Sequence, residues 1–350
     1  MKVLAINSSP RGGGQSKTEM MLAPLVKGMQ DAGAEVETVN LRQKKINHCL
    51  GCFTCWTKTP GVCVQKDDMA LELFPKWLAA DIVVYATPLY HFTVNADMKA
   101  FIERTLPVLQ PYLVREGDRT GHPLRSRPPA TVMLSVAGFP EDTVFDALSY
   151  WTRFVFGKDG GLLAEIYRGA AEGLIHSGKR SAILAATEQA GREIILQKHV
   201  SPETMARIRQ PLTTPETLAS AGNIMWQSLI DDGTTMASAS RQGGAPRPAS
   251  VEMLAELLAF AFNPLKLGDK QGTLQFNFNG EKAGSCYLTM DSSGCVPHIG
   301  IASKADCTID GPFEVWADII QGKQDGGQAL MDGKYRANGD ITLMMVFGND

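Results

Sequence analysis

Over its first eighteen residues the chain runs from a short, largely apolar strand pattern, Lys2–Asn7, into Ser8-Ser9-Pro10-Arg11-Gly12-Gly13-Gly14-Gln15-Ser16-Lys17-Thr18. A helical pattern over 18–32 follows, with Met21, Leu22, Leu25 and Met29 at helical spacing. This junction constrains the fold more than any other stretch, because a strand feeding a helix through a glycine-rich loop opens a βαβ unit of a parallel sheet. An anion placed in the loop would meet the free amides and the positive dipole end of the helix. Gly12, Gly13 and Gly14 allow positive φ and close backbone approach. Ser9, Ser16 and Thr18 can donate hydroxyl bonds, and Arg11 and Lys17 can balance the charge. The plainer alternative is a polar turn with ordinary capping residues. A nucleotide P-loop is a third reading, since Ser16-Lys17-Thr18 imitates its end. It lacks the Gly before Lys17, however, and has Arg11 where the opening Gly should stand.

The rest of the first half keeps the alternation. Strand patterns are expected at Glu35–Asn40, 81–87, 130–137 and 164–167, and helices at 67–80 (capped by Asp67 or Asp68) and 96–105. A long helical region over 180–229 is interrupted near Pro202, Pro211 and Pro215. These elements predict an α/β fold, a doubly wound parallel sheet in the flavodoxin-like order 2-1-3-4-5. Composition then shifts: 237–250 (ASASRQGGAPRPAS) is small, Gly/Pro-containing and almost without apolar bulk, as a linker would be. Beyond it a helix at 251–262 precedes short strands at 273–278, 286–290 and 297–301. Helices at 312–321 and Gly326–Met331 follow, which together describe a smaller α+β unit. With 350 residues, two domains are expected: 1–236 and 251–350, joined by 237–250.

Apolar residues make up 44% of the chain and charged residues 20%, with a net charge of −3. This describes a globular protein and gives no electrostatic reason to expect nucleic acid or an anionic membrane as partner. The N-terminal apolar run is far too short for a signal peptide, and no apolar run approaches bilayer length. Both features predict a cytoplasmic protein whose cysteines stay reduced.

Four of the seven cysteines crowd into 46–66, a stretch without clear period: Cys49-x2-Cys52-x2-Cys55-x7-Cys63. Four thiolates in one loop can surround a single metal centre, and three at consecutive three-residue intervals favour an iron–sulfur cluster over zinc. Unliganded thiols, a zinc site and a redox disulfide remain alternatives. Cys286, Cys295 and Cys307 are scattered and read as core or surface singles.

The phosphate-type loop, the segment Thr87-Pro88-Leu89-Tyr90-His91-Phe92-Thr93-Val94-Asn95 and the following Met98-Lys99-Ala100-Phe101-Ile102-Glu103-Arg104 resemble the NAD(P)H-dependent FMN reductase family over about residues 1–200. The resemblance implies FMN as cofactor and NAD(P)H as donor. It also implies that Ser9, Arg11, Ser16, Lys17 and Thr18 hold the FMN phosphate. Thr87, Pro88, Leu89 and Tyr90 would wrap the ring, with Asn95 nearby and Gly138 closing the other side. The family commonly reads Ser-Pro-Arg and then Gly-Asn-Thr or Gly-Asn-Ser. Gln15-Ser16-Lys17-Thr18 departs from that and leaves open which hydroxyl takes the matching role. The cysteine spacing resembles the compact motif of iron–sulfur flavoproteins, where Cys49, Cys52, Cys55 and Cys63 would hold a [4Fe–4S] cluster. The residues around it are also similar to flavodoxin-family oxidoreductases without one. Homo-oligomers are expected from the family. The run from Thr308 through Trp316 and Met331 to Asp340 resembles the SCP2 sterol carrier family over about 251–350, implying a lipid-like ligand. Trp316, Ile319, Ile320, Leu330 and Met331 are its candidate lining. Three functional classes follow: a flavin oxidoreductase, an electron-transfer protein built on flavin and cluster, and a lipid-binding protein with a regulatory flavodoxin-like module. In the first, the cofactor carries the chemistry and no side chain is required as acid or nucleophile.

Overall fold

The computed structural model describes the chain except residues 118, 159, 160, 176, 213, 232, 237, 239–246, 293 and 348–350. It divides into two compact units, Met1–Ala171 with Ile183–Gln210, and Glu172–Ala182 with Pro211–Asp350.

In the first unit β1 (Lys2–Asn7), α1 (Lys17–Asp31), β2 (Glu35–Asn40), α2 (Phe74–Ala79), β3 (Ile82–Pro88) and α3 (Ala96–Glu103) follow one another. A small antiparallel hairpin, β4 (Val114–Glu116) with β5 (Arg119–Gly121), then precedes β6 (Ala130–Val136), α4 (Asp146–Phe156) and β7 (Leu162–Arg168). The main sheet runs β2-β1-β3-β6-β7, all parallel. With the hairpin set aside this is the order 2-1-3-4-5 expected for a flavodoxin-like sheet. Every residue of β3 (IVVYATP) is buried, as a central strand covered on both faces must be. Leu4, Ile6, Val83, Tyr85, Met98, Phe101 and Met133 form the heart of one face's core.

The helices α5 (Arg180–Gln197) and α6 (Pro202–Arg209) break where the prolines predict. Helix α5 meets α1 backbone to backbone. A Cβ added at Gly28 would fall 1.8 Å from the Glu188 carbonyl oxygen, and one at Gly191 2.1 Å from that of Leu25. The helix expected at 67–80 is divided. A π-helical turn, Met69–Leu73, precedes α2, and Pro75 stands in the first turn of α2.

The second unit contains α7 (Pro215–Asp231), which packs against helix Val251–Ala261. That helix is capped by Ser250, whose Oγ accepts from the Met253 amide at 3.2 Å. Its sheet runs β10-β9-β8-β11-β12, from β8 (Gly272–Asn279), β9 (Gly284–Asp291), β10 (Gly294–Ile299), β11 (Cys307–Pro312) and β12 (Arg336–Gly339). All pairs are antiparallel except β8 with β11. Leu254, Phe276, Leu288, Ile309 and Trp316 lie in its core. Most of the stretch expected as a linker, 237 and 239–246, lies outside the described residues. Among the described residues no helix is long and apolar enough to cross a membrane.

Candidate functional site

Because β1, β3 and β6 are parallel neighbours, the loops that follow them leave the same sheet edge, with Asn7 opposite Ala86 and Pro88 opposite Val136. Open doubly wound sheets bind ligands at such an edge, outside the carboxyl ends of the strands.

The first loop is built by short side chains. Asn7 Oδ1 accepts from the Ser9 amide at 3.0 Å, and Ser9 Oγ accepts from the Arg11 amide at 3.3 Å. The Ser8 amide donates to the Ala86 carbonyl at 2.9 Å, pinning the loop to β3. Gly13 and Gly14 take φ of 62° and 81°, and a Cβ at either would meet nothing within 4 Å, so the loop is open on that side. Ser16 caps α1, its Oγ accepting from the Glu19 amide at 3.0 Å. Ser9, Ser16, Lys17 and Thr18 are buried, while Arg11 is exposed. The loop therefore brings hydroxyls, cations and a helix N-terminus together beside two exposed glycines, a donor set that suits a phosphate group. Arg42, which the sequence did not single out, adds a guanidinium: its Nη1 donates to Asn40 Oδ1 at 3.3 Å and to the Ser9 carbonyl at 3.5 Å.

The second loop turns tightly. Tyr90 and Thr93 exchange two backbone hydrogen bonds of 3.1 Å, while His91 and Phe92 between them take φ of 46° and 62°. Two successive left-handed residues are what a type I′ turn requires, and glycine or asparagine normally supplies them. Placing a histidine and a phenylalanine there stores strain, of a kind that concentrates at functional sites. The turn leaves Tyr90 45% and Phe92 50% exposed. Thr87 and Pro88 end β3 in full burial, and the Leu89 amide donates to the Val136 carbonyl at 2.8 Å. Asn95 joins the two loops. Its Oδ1 caps α3 by accepting from the Met98 amide at 3.2 Å, and its Nδ2 donates to the Ser8 carbonyl at 2.7 Å. The third loop begins after β6 and presents Gly138 and Phe139 to solvent.

All four clustered cysteines line one cleft, together with Phe53, Arg104 and neighbouring residues. Gly51, Phe53 and Gly61 have positive φ, and the Phe53 ring packs at a tilt against Trp56, which packs at a tilt against His122. Cys52 is exposed and accepts from Thr54 Oγ1 at 3.3 Å, which together with the Thr54 amide lowers its thiol pKa. Cys55 is buried, and burial with the neighbouring Cys63 thiol raises its pKa. The donor type and the shared cleft suit a thiolate-bound centre. Among the described residues, however, no group of three or more Cys, His, Asp or Glu side chains is gathered at ligating distance. A larger cavity of about 500 Å³, lined by Val62, Phe74, Leu78 and Pro107, also reaches Cys63 and Arg104.

Beneath the cleft a fully buried ion pair links the cysteine loop to the end of α3. Arg104 Nη1 and Nη2 donate to Asp67 Oδ2 and Oδ1 at 2.7 and 2.9 Å, and Nη1 also donates to the Asn47 carbonyl at 2.7 Å. Burial pushes the Asp67 carboxyl up, but Arg104 and the amides of Asn47 and Ala70 outweigh it and hold the pKa at about 2. Sequence reasoning read Asp67 as a helix cap. The Ala70 amide does bond its Oδ1 at 3.1 Å, but nothing in the sequence announces a partner 37 positions away.

With the cradle and the two further loops at one sheet edge, the first segment has a counterpart among known proteins. Residues 1–148 match the NADPH-dependent FMN reductase family. Residues 264–349 match the SCP-2 sterol transfer family. An iron-sulfur flavoprotein of Archaeoglobus fulgidus is 45% identical over 107 residues, 31% of this chain and 46% of that protein. An iron-sulfur flavoprotein of Methanosarcina thermophila is 30% identical over 106 residues, 30% of this chain and 53% of that protein. An FMN-dependent NADH:quinone oxidoreductase of Azospirillum brasilense is 34% identical over 112 residues, 30% of this chain and 53% of that protein. The chain spans about half the length of the curated relatives it matches. In the SCP-2 segment, Trp316 packs edge-on against Phe276 with ring centres 5.0 Å apart, and Ile319, Ile320 and Leu330 pack against the same core. Met331, expected in an apolar lining, is instead 80% exposed at the end of its short helix.

Proposed function

We propose that the first unit is an FMN-dependent oxidoreductase reduced by NAD(P)H. Ser9, Arg11, Ser16, Lys17 and Thr18 would hold the phosphate, and Thr87, Pro88, Leu89, Tyr90 and Gly138 would border the ring. The observation that carries this reading is the open cradle at the head of α1, placed at the same sheet edge as the strained turn after β3. Bound FMN would supply the hydride acceptance and onward electron delivery. The chain's own residues bind and orient. The helix N-terminus, the hydroxyls and Arg11 neutralise the phosphate, and Asn95 fixes the distance between the phosphate loop and the ring loop by bonding the Ser8 carbonyl. The apolar cavity beside Cys63 suits an apolar acceptor such as the quinones named for one relative.

Cys49, Cys52, Cys55 and Cys63 are assigned to a [4Fe–4S] cluster. Their common cleft supports this, as do relatives named iron-sulfur flavoproteins over the same part of the chain. That assignment favours a second reading, an electron-transfer protein passing single electrons between flavin and cluster. Anaerobic titration with NADH and with NADPH separates the two. Bleaching of the flavin band by about one equivalent of either nucleotide is expected of the reductase. A flavin reduced by dithionite but by neither nucleotide would support the electron-transfer protein. The second unit is proposed to bind a lipid-like molecule, on its match to the sterol transfer family. Saturable binding of a fluorescent fatty acyl or sterol probe by the whole protein is the expected result. No uptake would leave that unit an oligomerisation or docking module.

A further inference from the structure

Arg104 is the first residue beyond α3, and its side chain is only 1% exposed. Both of its terminal nitrogens are bonded: Nη1 donates to Asp67 and to the Asn47 carbonyl, and Nη2 donates to Asp67. Its Nε is different: it is buried and has no hydrogen-bond partner among the described residues. A buried donor left without an acceptor is costly, and such groups in native proteins call for an explanation. The explanation lies in where the guanidinium sits. Arg104 lines the cleft formed by the four cysteines, and Cys63 is within its electrostatic reach. Asp67 holds the guanidinium through Nη1 and Nη2 and is itself fixed by the amides of Asn47 and Ala70.

We propose that Arg104 is a positioning residue for the cysteine-bound centre, donating its Nε–H to the Cys63 sulfur once that sulfur is a cluster ligand. The inference rests on the assignment of the cluster to this loop. A ligated thiolate is the anionic acceptor that the orphaned Nε–H lacks. Hydrogen bonds to cluster sulfurs raise reduction potential, and losing a residue that bonds a metal ligand typically changes metal affinity 10- to 100-fold. The Asp67 carboxylate would serve to aim the fork rather than to touch the cluster.

The test compares anaerobically reconstituted wild-type protein with Arg104→Lys, which keeps a cation beside Asp67 but has no Nε–H. Iron content, midpoint potential and the rate of cluster loss to a chelator are measured. Wild type should hold about four irons per chain. The variant should load iron, lose it at least about tenfold faster and show a lower potential. Should the variant fail to fold, the wild type decides alone: with 15N-arginine incorporated, pulsed EPR of the reduced cluster should detect coupling to an arginine nitrogen. A loaded cluster with no arginine coupling, or with unchanged potential and loss rate in the variant, overturns the role of Arg104 and leaves the cluster assignment standing. Wild-type protein that takes up no iron overturns both, and the iron analysis tells the two failures apart.

Discussion

Asn95 shows how much of the site depends on one amide. Its side chain caps α3 and holds the Ser8 carbonyl, so it sets where the loop after β1 sits relative to the turn after β3. Asn95→Ala removes a cap and a buried hydrogen bond and should cost about 1–3 kcal/mol of stability. Its effect on flavin affinity should exceed that of a cap lost elsewhere, which fluorescence titration of the apoprotein with FMN would measure. Asp67 carries a pH signature. Its folded pKa of about 2 lies below the ordinary carboxyl value of 3.8, so its contribution is complete above about pH 4 and is lost as pH falls toward 2. Acid denaturation of wild type should therefore steepen in that window by about 2 kcal/mol, and Asp67→Asn should flatten it. At this scale the sequence was half legible. The serines, glycines and cations of the loop announce themselves by spacing after a strand. Arg42 and the Arg104–Asp67 pair do not, because each reaches the site through chain folding that no local pattern encodes.

Among elements, the contact of α1 with α5 is the tightest constraint in the first unit. Gly28 and Gly191 let the two backbones touch, and a methyl group at either meets a carbonyl oxygen at about 2 Å. Gly191→Ala should thus destabilise by roughly 1–3 kcal/mol, since backbone must move to admit it. A matched substitution at Gly222, where a Cβ would meet nothing within 4 Å, should be neutral or slightly stabilising. Thermal melts of the two variants give the comparison. The strands of the main sheet were readable because central parallel strands appear as continuous buried runs, as in β1 and β3. β4, β5 and β12 were not, being three or four residues long, and β11 was hidden by its ending in Asp310-Gly311-Pro312. The π-helical turn at Met69–Leu73 is likewise invisible to periodicity, because five residues are too few to show a repeat distinct from the α-helical one.

The whole molecule joins two segments that match two separate families, a flavin-type α/β unit and a sterol-transfer-type α+β unit. The expectation from sequence divides the chain at the shift in composition near 237–250. The division in space is less simple, since α7 and the segment Glu172–Ala182 group with the second unit. Sequence could not show this, because the apolar face of α7 gives no sign of which core it covers. Met331 failed for a related reason: helical spacing marks a face, but a six-residue helix leaves its last residue free to point outward. The function proposed for the first unit requires FMN at the head of α1. The most direct measurement releases the cofactor from freshly purified or reconstituted protein by heat or acid and identifies it by chromatography. One FMN per chain is the predicted result, with much weaker retention in Arg11→Ala, by about 1.5–3 kcal/mol. FAD in its place, or no flavin bound at all, would contradict the account.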